Sequence, residues 1–229
     1  MLFRQLFDRE SSTYTYLIAD QDTRQAVIID PVREQSQRDL QLLKQLQLQL
    51  ISCLETHIHA DHVTASSVLR EATGCKSIVP INANIDCADR FIQDQEVIIV
   101  GNIEIKAIET LGHTNSHMAY LINHDRILTG DALLIRGCGR TDFQGGDAGK
   151  LFDAITQKLF SLDNRILVYP AHDYKGFTVS TIGEEKQFNP RFLNKTRQQF
   201  IEFMNNLDLP HPTKMMEALP ANQKCGNAT

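Results

Sequence analysis

The chain has 229 residues, 42% hydrophobic and 22% charged, with a formal net charge of −5. That is the composition of a globular protein with enough apolar residues for a substantial core. It carries no basic patch of the kind a nucleic-acid partner requires, and no apolar run approaches the roughly 20 residues needed to cross a bilayer. The five cysteines, Cys53, Cys75, Cys87, Cys138 and Cys225, are scattered and form no CxxC pair, so a disulfide framework is not expected and most read as small buried hydrophobes. The first residues lack a signal-peptide apolar region and turn acidic by Asp8 and Glu10, which points to the cytoplasm.

In chain order, Tyr14 to Ala19 and Ala26 to Asp30 read as strands joined by a turn at Asp20-Gln21-Asp22. Gln35 to Leu46 has helical periodicity. Leu48 to Leu54 reads as a buried strand, Thr64 to Ala72 as a helix stopped by Gly74, Lys76 to Val79 as a strand and Ile85 to Phe91 as a helix. Val97 to Val100 and Ile103 to Ile108 form a hairpin about Gly101-Asn102. Met118 to Ile122 and Arg126 to Thr129 are two more strands, split by the turn Asn123-His124-Asp125. Asp147 to Leu162 is an amphipathic helix, Arg165 to Tyr169 a strand, and Arg191 to Leu207 a final helix in which Phe192, Thr196, Phe200 and Phe203 recur at helical spacing and the aromatics read as core. Two groups of strands, each followed by helices, give an α/β fold: an αββα sandwich of two mixed β-sheets with helices outside. One domain over 1–229, with 180–229 as a C-terminal helical extension packed on it, is the simplest organisation.

The strand ending at Leu54 runs directly into Thr56-His57-Ile58-His59-Ala60-Asp61-His62, three imidazoles and a carboxylate in seven residues. Neutral imidazole and carboxylate together suit Zn, Fe or Mn. The same residue types recur after later strands: Gly112-His113, Gly130-Asp131 and Ala171-His172. Taken singly each has an ordinary explanation, since a loop histidine can bond a carbonyl and an aspartate can cap a helix. Four such loops in one chain, each at the end of a strand, point to a metal centre. The chemistry of the residues alone allows one metal or two.

These motifs in this order resemble those of the metallo-β-lactamase superfamily. The stretches Gly130-Asp131-Ala132-Leu133-Leu134-Ile135-Arg136-Gly137-Cys138-Gly139-Arg140-Thr141-Asp142-Phe143-Gln144 and Tyr169-Pro170-Ala171-His172-Asp173-Tyr174-Lys175-Gly176-Phe177-Thr178 are more specific. They are similar to the persulfide dioxygenases, the sulfur dioxygenases of the ethylmalonic encephalopathy type, and the likeness runs nearly end to end. That resemblance implies one Fe(II) per chain, held by His57, His113 and Asp131, with His59, Asp61, His62 and His172 supporting the ligands. It implies glutathione persulfide and O2 as substrates, sulfite and glutathione as products, and Arg140, Tyr174 and Arg191 as substrate contacts. It also implies a homodimer, with a sulfurtransferase or a sulfide:quinone oxidoreductase as separate enzymes of the same pathway. The alternative is a glyoxalase II-type hydrolase of S-acylglutathione, in which His59, Asp61, His62 and His172 would bind metals in a two-metal site.

Overall fold

The computed structural model describes residues 1–210 and 212–227. It resolves into two compact units, one comprising Met1–Ile92, Ile98–Glu104 and His211–Thr229, the other Gln93–Val97 and Ile105–Pro210. The C-terminal fifty residues are thus shared: those up to Pro210 belong with the second unit and the remainder with the first.

The first sheet has six strands in sequence order: β1 (Leu2–Phe7), β2 (Tyr14–Ala19), β3 (Gln25–Ile29), β4 (Gln49–Leu54), β5 (Lys76–Pro80) and β6 (Arg90–Ile92). The first three pair antiparallel and β3 to β6 run parallel. Helices α1 (Ser36–Gln45) and α2 (Ser66–Thr73) provide the crossovers that parallel strands need. Their Leu43 and Leu69 pack with Leu17, Ala19, Ala26, Ile28, Leu50 and Cys53 in one apolar layer. Alternate residues of β2 and β3, among them Tyr16, Ile18, Val27 and Ile29, are equally buried, so these strands read as unbroken apolar runs.

The second sheet is ordered β12-β11-β10-β9-β8-β7, with β7 (Val97–Val100), β8 (Ile103–Glu109), β9 (Met118–Ile122), β10 (Arg126–Gly130), β11 (Leu167–Pro170) and β12 (Ser180–Thr181). Here β10 and β11 are parallel and the other described pairings antiparallel. Leu151 of α3 (Ala148–Asp153), Ile182 of α4 (Ile182–Phe188), and Phe200 and Met204 of α5 (Arg197–Asn205) close over Ile108, Ala119, Leu121, Ile127 and Val168. Two mixed sheets with helices are therefore as read from the sequence.

Six local expectations need correction. Ile85 to Phe91 is not a helix: Asn84 has a φ of 53°, and the Asp89 carboxylate accepts from the Ser77 backbone N–H at 2.7 Å, committing the segment to strand pairing at β6. Asp147 to Leu162 is not one α-helix. Asp147 caps α3 through the Lys150 N–H, and a π-helical stretch follows over Ala154–Leu159. The helix read from Arg191 begins only at Arg197, because Asn194 has a φ of 55° and Thr196 and Gln199 form a capping box. Phe192 and Phe200 are core as expected, but Phe203 is 38% exposed. That helix is also not the last, since α6 (Met215–Asn222) follows with Pro220 inside it. Finally, Cys87 and Cys225 are joined in a disulfide across 138 residues of sequence. The tail returns over the loop before β6, a proximity that cysteine spacing could not reveal.

Candidate functional site

In the first unit, β3 and β4 end side by side and deliver Asp30 and the histidine loop to the same place. Asp30, 1% exposed, accepts from the Thr56 N–H at 2.7 Å and the Thr56 hydroxyl at 2.9 Å. That hydroxyl has spent its only proton on Asp30. The 2.9 Å contact from His57 Nδ1 to Thr56 Oγ1 is therefore an Nδ1–H donation, which sets the tautomer whose neutral ring carries its lone pair on Nε2, the form a metal needs.

His59 is buried as deeply, with its Nε2 3.0 Å from Asp30 and 3.6 Å from Glu55. Burial alone would lower its pKa. The carboxylates of Asp30, Asp61 and Glu55 outweigh that and lift it to about 9, favouring the protonated ring. Glu55 is shifted upward by burial, partly countered by the His59 charge. The Asp61 carboxylate accepts from His62 Nδ1 at 2.9 Å and from the Thr13 hydroxyl at 3.2 Å. Donor atoms of His59, Asp61 and His62 lie within 4.8 Å of one another, and the rings of His57, His59 and His62 succeed one another at centroid separations of 4.1 and 4.3 Å. Asn222 of α6 holds the loop from behind. Its Nδ2 donates to the carbonyls of His59 and His62, and its Oδ1 accepts from the Thr64 N–H, each at 2.8 Å.

In the second unit, His113 follows β8 and Asp131 follows β10. The His113 Nδ1–H donates to the Arg140 carbonyl at 2.7 Å, which turns its Nε2 toward Asp131 Oδ2, 3.5 Å away. His172 places its Nε2 3.6 Å from Asp131 Oδ1, and that buried oxygen accepts no hydrogen bond. A buried carboxylate oxygen without a donor costs free energy unless a cation completes it, and imidazole and carboxylate edges are the donor set of iron or zinc. The residues present fit a metal. Gly139 permits this packing, because a Cβ there would stand 2.4 Å from the Asp131 carbonyl oxygen and 2.7 Å from His113 Nδ1.

His117 is the functional neighbour that sequence reasoning missed. It is fully buried. Its Nε2 accepts from the Asp131 N–H at 3.0 Å and its Nδ1 lies 2.8 Å from the Thr110 hydroxyl. A histidine four residues after His113 at the mouth of β9 was the available signal. Asp30 offered the same kind of signal, a carboxylate closing an aliphatic strand, whereas Asn222 offered none.

The three residues read as substrate contacts lie in the second unit. The Arg140 guanidinium is engaged internally: bidentate to Asp142 at 2.7 Å for both bonds, bonded to the carbonyls of Pro210 and Leu209, and stacked over Phe143. The Arg191 guanidinium lies 4.6 Å above the Phe203 ring. Tyr174 is 73% exposed, with its ring parallel to that of His172 at 6.1 Å. Cys138 is buried with its sulfur 3.8 Å from that of Met204, and burial pushes its thiol up to about 12. It is part of the core.

The metallo-β-lactamase superfamily matches over residues 8–172. The human mitochondrial persulfide dioxygenase ETHE1 is 46% identical over the whole of this chain and 90% of its own length. The chain belongs to the persulfide dioxygenases of the metallo-β-lactamase superfamily. Within that family, the crystal structure of ETHE1 from Myxococcus xanthus superposes with a TM-score of 0.97 at 52% identity, over 99% of this chain and 100% of that one. A probable hydroxyacylglutathione hydrolase of Schizosaccharomyces pombe is more distant, 30% identical over 90% of this chain and 91% of that protein. The two six-stranded sheets and their helices are thus the metallo-β-lactamase fold. Among the described residues no helix is long and apolar enough to cross a membrane.

Proposed function

We propose that this chain oxidises glutathione persulfide with O2 to sulfite and glutathione, using one Fe(II) held by His57, His113 and Asp131. The observation that carries the reading is the 46% identity to a persulfide dioxygenase along the entire chain, together with a prepared ligand edge at each of these residues. Two histidines and one carboxylate on iron leave a face open, and the metal supplies coordination positions and redox chemistry that side chains lack.

The protein's own part is orientation and charge. Thr56 and Asp30 fix the His57 tautomer, and the Arg140 carbonyl fixes that of His113. His117 anchors the backbone of Asp131. His59, Asp61, His62 and His172 surround the ligands as supporting groups. Tyr174 and Arg191 receive the glutathione moiety, and Arg140 joins them when a substrate carboxylate exchanges with Asp142.

The second reading, a two-metal S-acylglutathione hydrolase, is favoured by the convergence of His59, Asp61 and His62. Oxygen uptake by the iron-loaded protein with glutathione persulfide, with metal content read on the same sample, separates the two. One iron per chain with O2 consumption and sulfite release supports the dioxygenase. Two metals, no O2 uptake and hydrolysis of S-lactoylglutathione refute it.

A further inference from the structure

The disulfide sits where the C-terminal tail meets the histidine loop. Cys225 is 2% exposed, whereas Cys87 is half-buried, in the loop before β6. The tail is laid on the backbone that carries the candidate ligands. The Cys225 carbonyl accepts from the Ser67 N–H at 3.1 Å, and a Cβ on Gly226 would stand 2.2 Å from the Thr64 carbonyl oxygen. Asn222, three residues before the disulfide, bonds His59, His62 and Thr64. Ile58, the residue after His57, shares an apolar cluster with Val79, Ile85 and Cys225. His57, His59, Asn222 and Cys225 also line one small cavity, about 10 Å³, room for a single water.

We propose that Cys87–Cys225 is a thiol-exchange site through which low-molecular-weight thiols open and close a clamp on the metal-binding loop. The accessible sulfur is that of Cys87. A small thiolate attacks it, forming a mixed disulfide on Cys87 and expelling the Cys225 thiolate, which takes up a proton. A second thiolate attacks the small-molecule sulfur of the mixed disulfide and releases the Cys87 thiolate. Two thiols leave as their own disulfide, and the protein disulfide gains two electrons and two protons. A disulfide with a sulfur open to attack is characteristically of this exchangeable, regulatory kind. With the link open, α6 is held by non-covalent contacts alone, its packing on Val63 and the Ile58 cluster and the hydrogen bonds of Asn222, and a terminal segment that is no longer covalently tied frays more often. Each fraying event removes Asn222 from the carbonyls of His59 and His62. The loop that presents His57 then loses its backing, as ligands do when their supporting groups are deleted.

The inference rests on the proposed function only in taking His57 as a ligand. It is tested on the full chain in three states: disulfide-bonded, reduced with excess glutathione, and the Cys87→Ser variant. Alkylation and mass measurement count the thiols. Amide exchange is followed over 57–66 and 215–226 in metal-free protein, and the rate of metal loss to a chelator is followed in loaded protein. The expected result is that reduction and Cys87→Ser both raise exchange in these two segments while β2 and β3 stay protected, and that metal leaves about tenfold faster. Re-oxidation of the wild type should restore both, which covers the case of a variant that misfolds. Equal exchange in the oxidised and reduced wild type would overturn the proposal, as would a disulfide that resists excess glutathione. Failure of the protein to bind any metal would instead overturn the proposed function, while the exchange comparison would still decide the clamp.

Discussion

His117 is the sharpest test of how the second unit positions its carboxylate. Truncation to alanine removes an acceptor from the Asp131 N–H and a partner from the Thr110 hydroxyl, both within a site where His117 itself is fully buried. Each buried polar group left without a partner costs about 1–3 kcal/mol. The Thr110 hydroxyl loses only a donor, the His117 Nδ1–H, and keeps its own proton free to turn, whereas the Asp131 N–H loses its acceptor. Adding the void left by the ring, the loss of stability is about 3 kcal/mol. The functional effect is separate. Freed from His117, the Asp131 backbone no longer fixes where its carboxylate points, and deletions of this kind weaken metal binding about 10- to 100-fold. The assay is competition against a chromophoric chelator at a temperature where circular dichroism shows the variant folded. His117→Gln, which keeps a carbonyl acceptor, should recover part of the affinity. An alanine variant that is folded and binds metal as tightly as the wild type would refute the reasoning.

Gly139→Ala drives a methyl group against the Asp131 carbonyl oxygen and His113 Nδ1, so metal content by elemental analysis should fall about tenfold. Gly74→Ala, at a φ of 74° with open space around it, should cost about 1 kcal/mol of stability and leave metal content unchanged. Phe200→Ala empties a fully buried site stacked on Phe192 at 5.0 Å; a cost of about 3–5 kcal/mol should lower the melting temperature by roughly 10 °C in calorimetry. Lys214 bonds both Glu10 and Glu34. Burial raises the Glu34 carboxyl, but the Lys214 bond and charge prevail and hold it below 4.5. Its stabilisation is therefore present above pH 4.5 and lost as pH falls through the lowered value. Lys214→Met should melt about 2 °C below wild type at pH 7, and the gap should narrow as pH falls below 4.5 and shrink in high salt.

The ligand loops were legible because the relevant chemistry is contiguous: aliphatic strands ending in histidine or aspartate announce both the strand and the residue it presents. What supports those loops was not legible. Asp30 and Thr56 are 26 residues apart and Asn222 and Thr64 are 158 apart, and each pairing exists only after the strands are laid in order. The misread segments failed for local reasons. Ile85, Ala88 and Phe91 have helical spacing, but the Asp89 carboxylate bonds the Ser77 N–H and pulls the chain into the sheet. Pro220 hid α6, which matters most to the histidine loop. Propensity was overridden in both places by a partner distant in sequence.

His59 is where the one-metal and two-metal readings part. A histidine binds a metal through an unprotonated nitrogen, and the fold treats the first two histidines of the loop in opposite ways. His57 gives its Nδ1 proton to a hydroxyl that is itself committed to Asp30, which in the neutral ring puts the lone pair on Nε2. His59 faces Asp30, Glu55 and Asp61, and together they hold it as a cation. A second ion would have to expel that proton and then stand beside the first ion's charge. A protonated His59 offsets part of the negative charge that would attract a second metal. The ligand types alone could not decide the count, because what separates the two readings is whether His59 carries a proton or a metal, and that is set by carboxylates the motif does not contain, Asp30 and Glu55.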